Sequence, residues 1–267
     1  MSDCWEVYAL KYADKNIRTR AESFIFDDNH NTNHPMDYFI WVLKNGDQTI
    51  VVDSGYDEAE AKSRDRPILR DPAVALSTLG IRSEDVSTLI ITHLHYDHAG
   101  GLAAFPNAKI HLQEAEMAYA TGPCMCHEAT QMPFTADHVC QMVQRVYSGR
   151  VQFHDGDGQV ADGVTVHKIG GHSRGLQAVR VKTANGYLCL ASDAAHYYEN
   201  ALKQKPFPIV VDLEDMLIGF DTIKSLASDL SLLIPGHDPL VCQHFPQVDN
   251  IDFAHRLDLG PTMPIEI

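Results

Sequence analysis

The run Thr92-His93-Leu94-His95-Tyr96-Asp97-His98-Ala99-Gly100-Gly101 constrains this chain more than any other feature. It packs three imidazoles and a carboxylate into six residues, directly after the apolar Thr88-Leu89-Ile90-Ile91. In an extended segment, residues two apart share a side, so His93 and His95 can reach one cation. Asp97 and His98 follow where the chain turns, with Gly100 and Gly101 permitting the tight path, and they project toward a neighbouring point. The spacing predicts two adjacent metal ions at the end of a strand.

Three later segments repeat the arrangement. Gly170-Gly171-His172-Ser173 follows the apolar residues 164–169, Ser192-Asp193 follows 187–191, and Gly236-His237-Asp238 follows 232–235. Each lies just past a run that reads as a buried strand. Four strand ends meeting at one edge assemble seven ligands: His93, His95, Asp97, His98, His172, Asp193 and His237. Imidazole and carboxylate donors without thiolate suit zinc, iron, manganese or cobalt, so donor type leaves the metal open.

The 267 residues, 45% of them hydrophobic, fit one domain spanning 1–267 around a substantial core. Strands are expected at 5–12, 38–44 and 48–52, the last two joined by Asn45-Gly46, so the chain opens as a β-meander. Further strands are expected at 109–112, 149–153, 164–169, 178–182 and 187–191. A helix begins at Asp71-Pro72 and is closed by Gly80. Others are expected at 114–121, 136–147 and 213–227, the last presenting Met216, Leu217, Phe220, Ile223 and Leu226 as one core stripe. Helices mixed with antiparallel strands in this way predict an α/β (α+β) chain, a four-layer αββα sandwich of two sheets with helices outside. Asp53, in the turn Asp53-Ser54-Gly55, either supports a ligating histidine or caps its own turn.

With 36 acids against 21 bases, a net charge of −15 and no run of Lys or Arg, the chain is not expected to bind nucleic acid or an anionic membrane. The opening Met1-Ser2-Asp3-Cys4-Trp5-Glu6 lacks the basic start and apolar core of a signal peptide, and no apolar stretch reaches membrane-spanning length. A cytoplasmic location is the expectation. The six cysteines form no paired framework, and Cys124-x-Cys126 is too closely spaced for a zinc-knuckle pair.

With these residues assembled, the chain resembles the metallo-β-lactamase superfamily across residues 51–237. The resemblance is carried by the Asp-Ser-Gly turn at Asp53, the run from Thr92, the Gly-His at His172, Asp193 and the late Gly-His at His237. It implies that His93, His95 and His172 hold one metal, that Asp97, His98 and His237 hold the second, and that Asp193 bridges them. Within the superfamily, residues 170–177 and 191–194 are most similar to the quorum-quenching acyl-homoserine lactonases and related small-lactone hydrolases. That similarity implies a carboxylic ester hydrolase opening the ring of a small lactone, an N-acyl-homoserine lactone or a related catabolic lactone. The nucleophile would be a hydroxide bridging two divalent ions, Zn2+ foremost, with Asp97 serving as proton shuttle as well as ligand. These lactonases commonly carry a tyrosine three residues after the bridging aspartate. Here His196 stands there, followed by Tyr197 and Tyr198, and it either donates a hydrogen bond to the substrate or packs beside its aromatic neighbours.

By analogy a homodimer is expected. Substrate walls are sought in Phe24-Ile25-Phe26, in residues 30–36 and in 122–134 with Met125, Met132 and Phe134, segments that serve equally as ordinary loops or dimer contacts. Arg174 would meet a substrate carboxylate or a surface acid. A glyoxalase-II-like thioester hydrolase would share the ligands, but the stretch after His237 is short for that group's helical extension. A mononuclear iron persulfide dioxygenase would need fewer of these ligands, and a β-lactamase usually replaces the last histidine of the H-x-H-x-D-H run.

Overall fold

The computed structural model describes residues 4–267 apart from Asp28, so Met1, Ser2 and Asp3 of the opening read for a leader lie outside the described residues. The apolar runs form two sheets. The larger contains β1 (Glu6–Lys15), β2 (Met36–Asn45), β3 (Gln48–Val52), β4 (Thr88–Ile90), β5 (Lys109–Gln113) and β6 (Val151–His154). The smaller contains β7 (Gly158–Ala161), β8 (Val164–Lys168), β9 (Gln177–Thr183), β10 (Gly186–Ser192) and β11 (Leu233–Pro235). β12 (Gln247–Val248) and β13 (Ile251–Arg256) return to the larger sheet, giving the orders β12-β13-β1-β2-β3-β4-β5-β6 and β11-β10-β9-β8-β7.

Side chains alternate across a strand, and that period assigns each face to one of two cores. Val7, Ala9, Phe39, Trp41 and Leu43 meet Val179, Val181, Leu188 and Leu190 between the sheets. Their neighbours Tyr8, Leu10, Tyr12, Ile40 and Val42 point the other way, into a core shared with Leu76, Met142, Phe220 and Ile223 of the helices. Two sheets face to face with helices outside are the expected four layers.

Several details depart from the sequence reading. The larger sheet is antiparallel only from β12 to β3, because β3, β4, β5 and β6 pair in parallel. Parallel neighbours require crossover connections, which here carry the helices Glu58–Ser63, Pro72–Ser77, Glu114–Ala120 and Ala136–Tyr147. The strand expected from residue 149 starts at Val151, since Gly149 turns at φ 71°. Leu217 does not belong to the core stripe of the helix Leu213–Leu226: it is exposed while Met216, Gly219, Phe220 and Ile223 are buried. The short β7 and the return of β12 and β13 to the sheet carry too few apolar residues to signal themselves. No described helix is long and apolar enough to cross a membrane.

The parallel stretches fix where the site lies. β10 and β11 run in parallel, and β8 shares their direction through the antiparallel β9. The C-terminal ends of β3, β4, β8, β10 and β11 therefore deliver Asp53, the His93 run, His172, Asp193 and His237 to one edge of the sandwich.

Candidate metal centre

All seven side chains expected as ligands are buried at that edge, and His196 joins them. Their donor atoms lie close enough to share an ion in three groups: His93, His95, His172 and Asp193 in one, Asp97, His98 and His237 in another, and Asp193, His196 and His237 in a third that overlaps both. Asp193 lies between the first two. Its Oδ2 lies 3.1 Å from His172 Nε2 and 3.7 Å from His93 Nε2, while its Oδ1 lies 3.2 Å from His98 Nε2 and 3.0 Å from His237 Nε2. Asp97 Oδ2 stands 3.7 Å from both His98 Nε2 and His237 Nε2. His95 Nδ1 and His172 Nε2 face each other at 2.9 Å.

These contacts do not satisfy the atoms that make them. His93 Nε2, His98 Nε2 and Asp193 Oδ1 are buried with no hydrogen-bond partner among the described residues. A buried polar atom without a partner costs roughly 1–3 kcal/mol. Imidazole lone pairs converging on carboxylate oxygens are the donor set that zinc and its first-row neighbours take, so the residues present fit a pair of divalent cations.

In three of the candidate ligand rings the far nitrogen is tied to the scaffold. His98 Nδ1 lies 2.7 Å from Asp53 Oδ2, and His172 Nδ1 and His237 Nδ1 each lie 2.8 Å from a backbone carbonyl, of Ile209 and Asp37. An Nδ1–H donating outward fixes the tautomer that turns the Nε2 lone pair inward. Asp53 also accepts from Thr92 N at 2.7 Å and from Thr92 Oγ1 at 2.8 Å, and Thr92 Oγ1 reaches Ser192 Oγ at 2.8 Å. One threonine thus joins the ends of β3, β4 and β10 across both sheets. Asp53 and Ser192 adopt φ of 60° and 47°, the strained left-handed region, where each chain turns into the site. Of the two roles open to Asp53, support of a ligating histidine is the one its contacts display.

Gly100 and Gly101 serve closeness rather than conformational freedom. Gly100 has φ −74° and Gly101 −96°, ordinary for any residue, but a Cβ on Gly101 would stand 2.2 Å from Ser54 O. Glu116, which sequence reasoning missed, is buried beneath the centre. It accepts from Leu94 N at 2.9 Å, from Ser173 Oγ at 2.6 Å and from Gly175 N at 2.8 Å, so one carboxylate joins the His93–His98 loop to the His172 loop. An acid three residues into a region of ordinary helical pattern gives no sequence signal of this.

The electrostatics follow from burial against local charge. Burial, then the neighbouring imidazoles, push His93 and His95 well below the usual histidine range, toward the neutral form that ligates metal. Burial acts the same way on His98 and His237, but the carboxylates of Asp193 and Asp97 outweigh it and raise both. For Asp193 burial would favour the neutral acid, yet His196, His98 and His237 hold its carboxyl well below the carboxylate range.

Above the centre opens a cleft of about 620 Å³, walled by Tyr38, Tyr96, Met132, Phe207 and Ile209, with His196 and His237 at its base. His196 lies flat on Phe207 at 3.3 Å and 6°, its Nε2 3.1 Å from Asp193 Oδ2 and its Nδ1 without a partner among the described residues. Phe207 was not anticipated; its signal is an aromatic held between Pro206 and Pro208. Most of the expected walls lie elsewhere. Phe24 packs on His34 and Tyr197, and Phe26 is 94% exposed. Residues 30–36 contribute only Met36 to the cleft, and 122–134 contribute Met132 and Pro133, while Phe134 sets its ring edge-on to His95 and Met125 lines a neighbouring groove. Arg174 is solvent-exposed, 3.9 Å from Asp212, and does not line the cleft.

A family model described as the metallo-beta-lactamase superfamily matches residues 35–244. An N-acyl homoserine lactonase of Bacillus cereus is 30% identical over 177 residues, 64% of this chain and 65% of that relative. A probable metallo-hydrolase of Mycobacterium tuberculosis is 25% identical over 191 residues, 65% of this chain and 59% of that relative. The chain thus spans less than two thirds of the length of these curated relatives. Among solved structures, a quorum-quenching N-acyl homoserine lactone lactonase superposes with a TM-score of 0.72 at 22% identity, covering 88% of this chain and 92% of that one. The hydrolase AbOPH of the beta lactamase superfamily superposes with a TM-score of 0.75 at 17% identity, covering 100% of this chain and 97% of that one.

Proposed function

Starting from the fact that the chain belongs to the metallo-β-lactamase superfamily, we propose that it is a hydrolase that opens the ester ring of a small lactone at a pair of divalent cations, zinc foremost. The observation that carries this reading is Asp193, which turns one oxygen toward each of two sets of buried imidazoles, each with one nitrogen, His93 Nε2 or His98 Nε2, that lacks a partner among the described residues. Likeness to lactonases supports the substrate class.

In this reading His93, His95 and His172 hold one ion, Asp97, His98 and His237 the other, and Asp193 both. Such ions supply Lewis acidity toward a carbonyl and acidify water to near neutrality. The chain supplies the rest. Asp97 would take a proton from the attacking water on the carboxylate oxygen not engaged with the ion and return it to the ring oxygen as the C–O bond breaks. Its backbone is held for this by Tyr12, whose hydroxyl donates to Asp97 O at 2.9 Å. His196, stacked on Phe207 at the base of the cleft with Nε2 3.1 Å from Asp193 Oδ2, donates to that carboxylate and gives the ester a flat surface to rest on. Tyr38, Met132 and Phe207 exclude water from one side of the ring.

Proton release from a panel of acyl-homoserine lactones, short γ-lactones, aromatic lactones and thioesters tests the proposal. Ring opening of at least one lactone is expected, falling about a thousandfold in Asp97→Asn or His172→Ala. Activity confined to thioesters would overturn it.

A further inference from the structure

The cleft is out of keeping with the rest of the molecule in its charge. The chain carries 21 bases against 36 acids, yet the cleft is lined by Lys15, Arg18, Arg64 and Arg66 against Glu22, Asp97 and Asp193. Two of those three acids, Asp97 and Asp193, belong to the centre at its floor. Three of the four cations are already engaged. Lys15 Nζ pairs with Glu22 at 3.1 Å. Arg18 is buried and donates to Ser23 Oγ, to Tyr197 Oη at 2.9 Å and to Glu22 O. Arg64 pairs with Glu60 and donates to Met132 O, Phe134 O and Thr135 Oγ1.

Arg66 differs. Among the described residues it has no carboxylate partner; its guanidinium donates to Asp65 O at 3.3 Å and shares the cleft lining with the phenols of Tyr38 and Tyr96. Its backbone is fixed: Arg66 N donates to Ala61 O at 2.8 Å, Asp65 before it sits at φ 51°, and Pro67 follows. Both phenols belong to the site. The Tyr38 ring stands edge-on to His237 at 5.1 Å, and Tyr96 directly precedes Asp97. A half-buried guanidinium therefore faces the cleft one aromatic ring away from the floor.

We propose that the ester opened in this cleft carries a carboxylate, and that Arg66 is the residue that recognises it. The planar fork of a guanidinium matches a carboxylate bidentately, and partial burial beside two phenols strengthens that pairing over one made in open water. The substrate class is then a lactone with an acidic substituent, its carboxylate about one ring's length from the scissile carbonyl. A neutral N-acyl-homoserine lactone gives Arg66 no partner and is a poor ligand. This inference rests on the lactone-hydrolase reading for the identity of the ester, though not for the recognition of the anion.

The test separates binding from turnover. Aliphatic and aromatic lactones bearing a ring carboxylate, each paired with its neutral carboxamide, are titrated calorimetrically into zinc-loaded protein, and ring opening is followed in parallel by pH-stat. At least one carboxylate is expected to bind about tenfold or more tighter than its carboxamide, an advantage that shrinks with added salt. Arg66→Gln abolishes that advantage and raises KM for the acid with little change in kcat, while Arg66→Lys retains part of it and shows by its circular dichroism and zinc content that the loop tolerates substitution. Equal binding of acid and amide across the panel, or a preference that survives in Arg66→Gln, overturns the proposal. Selective binding without ring opening sustains it while refuting the lactonase reading, and ring opening without selectivity does the reverse.

Discussion

At the floor of the cleft His93 Nε2, His98 Nε2 and Asp193 Oδ1 are buried and unpartnered, whereas along the wall Arg18 and Arg64 give their donors to Ser23, Tyr197, Glu60, Phe134 and Thr135. Both regions bury polar groups that would otherwise be solvated, and in both the outer atoms are anchored to the scaffold. At Arg18 and Arg64 the wall closes its hydrogen bonds within the chain. The floor closes its outward bonds at Asp53, Ile209 and Asp37 and leaves His93 Nε2, His98 Nε2 and Asp193 Oδ1 without a partner among the described residues. A structural cluster satisfies itself, and a binding site stops short of doing so.

Removing the cations is the strongest way to sharpen that contrast. Stripping the protein with a chelator is expected to lower its stability by about 4 kcal/mol where the metal had been a thousandfold above its dissociation constant, with recovery on adding zinc. Arg64→Met lowers stability on its own account but leaves the size of that metal increment unchanged. Calorimetric melting of the loaded and stripped forms reads both effects. A stripped protein that melts with the loaded one would remove the distinction between floor and wall.

The floor was legible in the sequence because its chemistry is local. His93, His95, Asp97 and His98 lie within one short run, and His172, Asp193 and His237 each follow an apolar strand, so period-two alternation and strand ends locate them. The wall was not legible, because its residues come from segments without periodicity. Arg66 lies on a loop between helices, Met36 at the start of β2, and Phe207 in a proline-bounded stretch. Phe24 misled by composition: an aromatic in a loop, expected to line the cleft, packs instead on His34 and Tyr197. The parallel part of the larger sheet escaped notice for a related reason, since a strand's own pattern does not state the direction of its neighbour. Glu116 escaped because its three partners are distant in sequence.

Glu116 and Asp53 test how the floor is held rather than what it holds. Glu116→Ala leaves Leu94 N, Ser173 Oγ and Gly175 N as buried donors with nothing to accept them. A loss of about 3 kcal/mol is expected in denaturant unfolding, set by the desolvation cost of those groups. Asp53→Asn keeps the shape but removes the charge facing His98 Nδ1. Metal affinity is expected to fall by about 10–100-fold, with a smaller change in unfolding free energy than for Glu116→Ala, as measured by zinc competition and denaturation. The reverse ranking would mean that the two carboxylates exchange the roles assigned to them.

The smallest expected effect is the share of a pH dependence that comes from behind the wall rather than from the floor. His34 lies behind the wall with Nδ1 2.8 Å from Ser23 Oγ and its ring against Tyr197 at 4.2 Å, and burial, aided by Arg20 and Arg18, lowers its pKa from 6.5 to about 4. Between those values the unfolded chain binds the proton and the folded one does not, so stability rises with pH across the window and is lost as pH falls through it. Allowing for the ring's partial exposure, the loss is about 1–2 kcal/mol. The metal-free floor holds both signs. His93 and His95 are lowered by burial as His34 is, whereas His98 and His237 are raised by Asp193 and Asp97, so the contribution of the second pair is complete below the ordinary histidine range and declines as pH climbs through their folded values. Melting temperatures of the stripped protein from pH 4 to 8 superpose the two slopes. His34→Gln should make the rising limb shallower and leave the falling one unchanged, because the groups that produce the falling limb lie at the floor. A rising limb of unchanged slope in that variant would mean that the burial of His34 does not contribute to it.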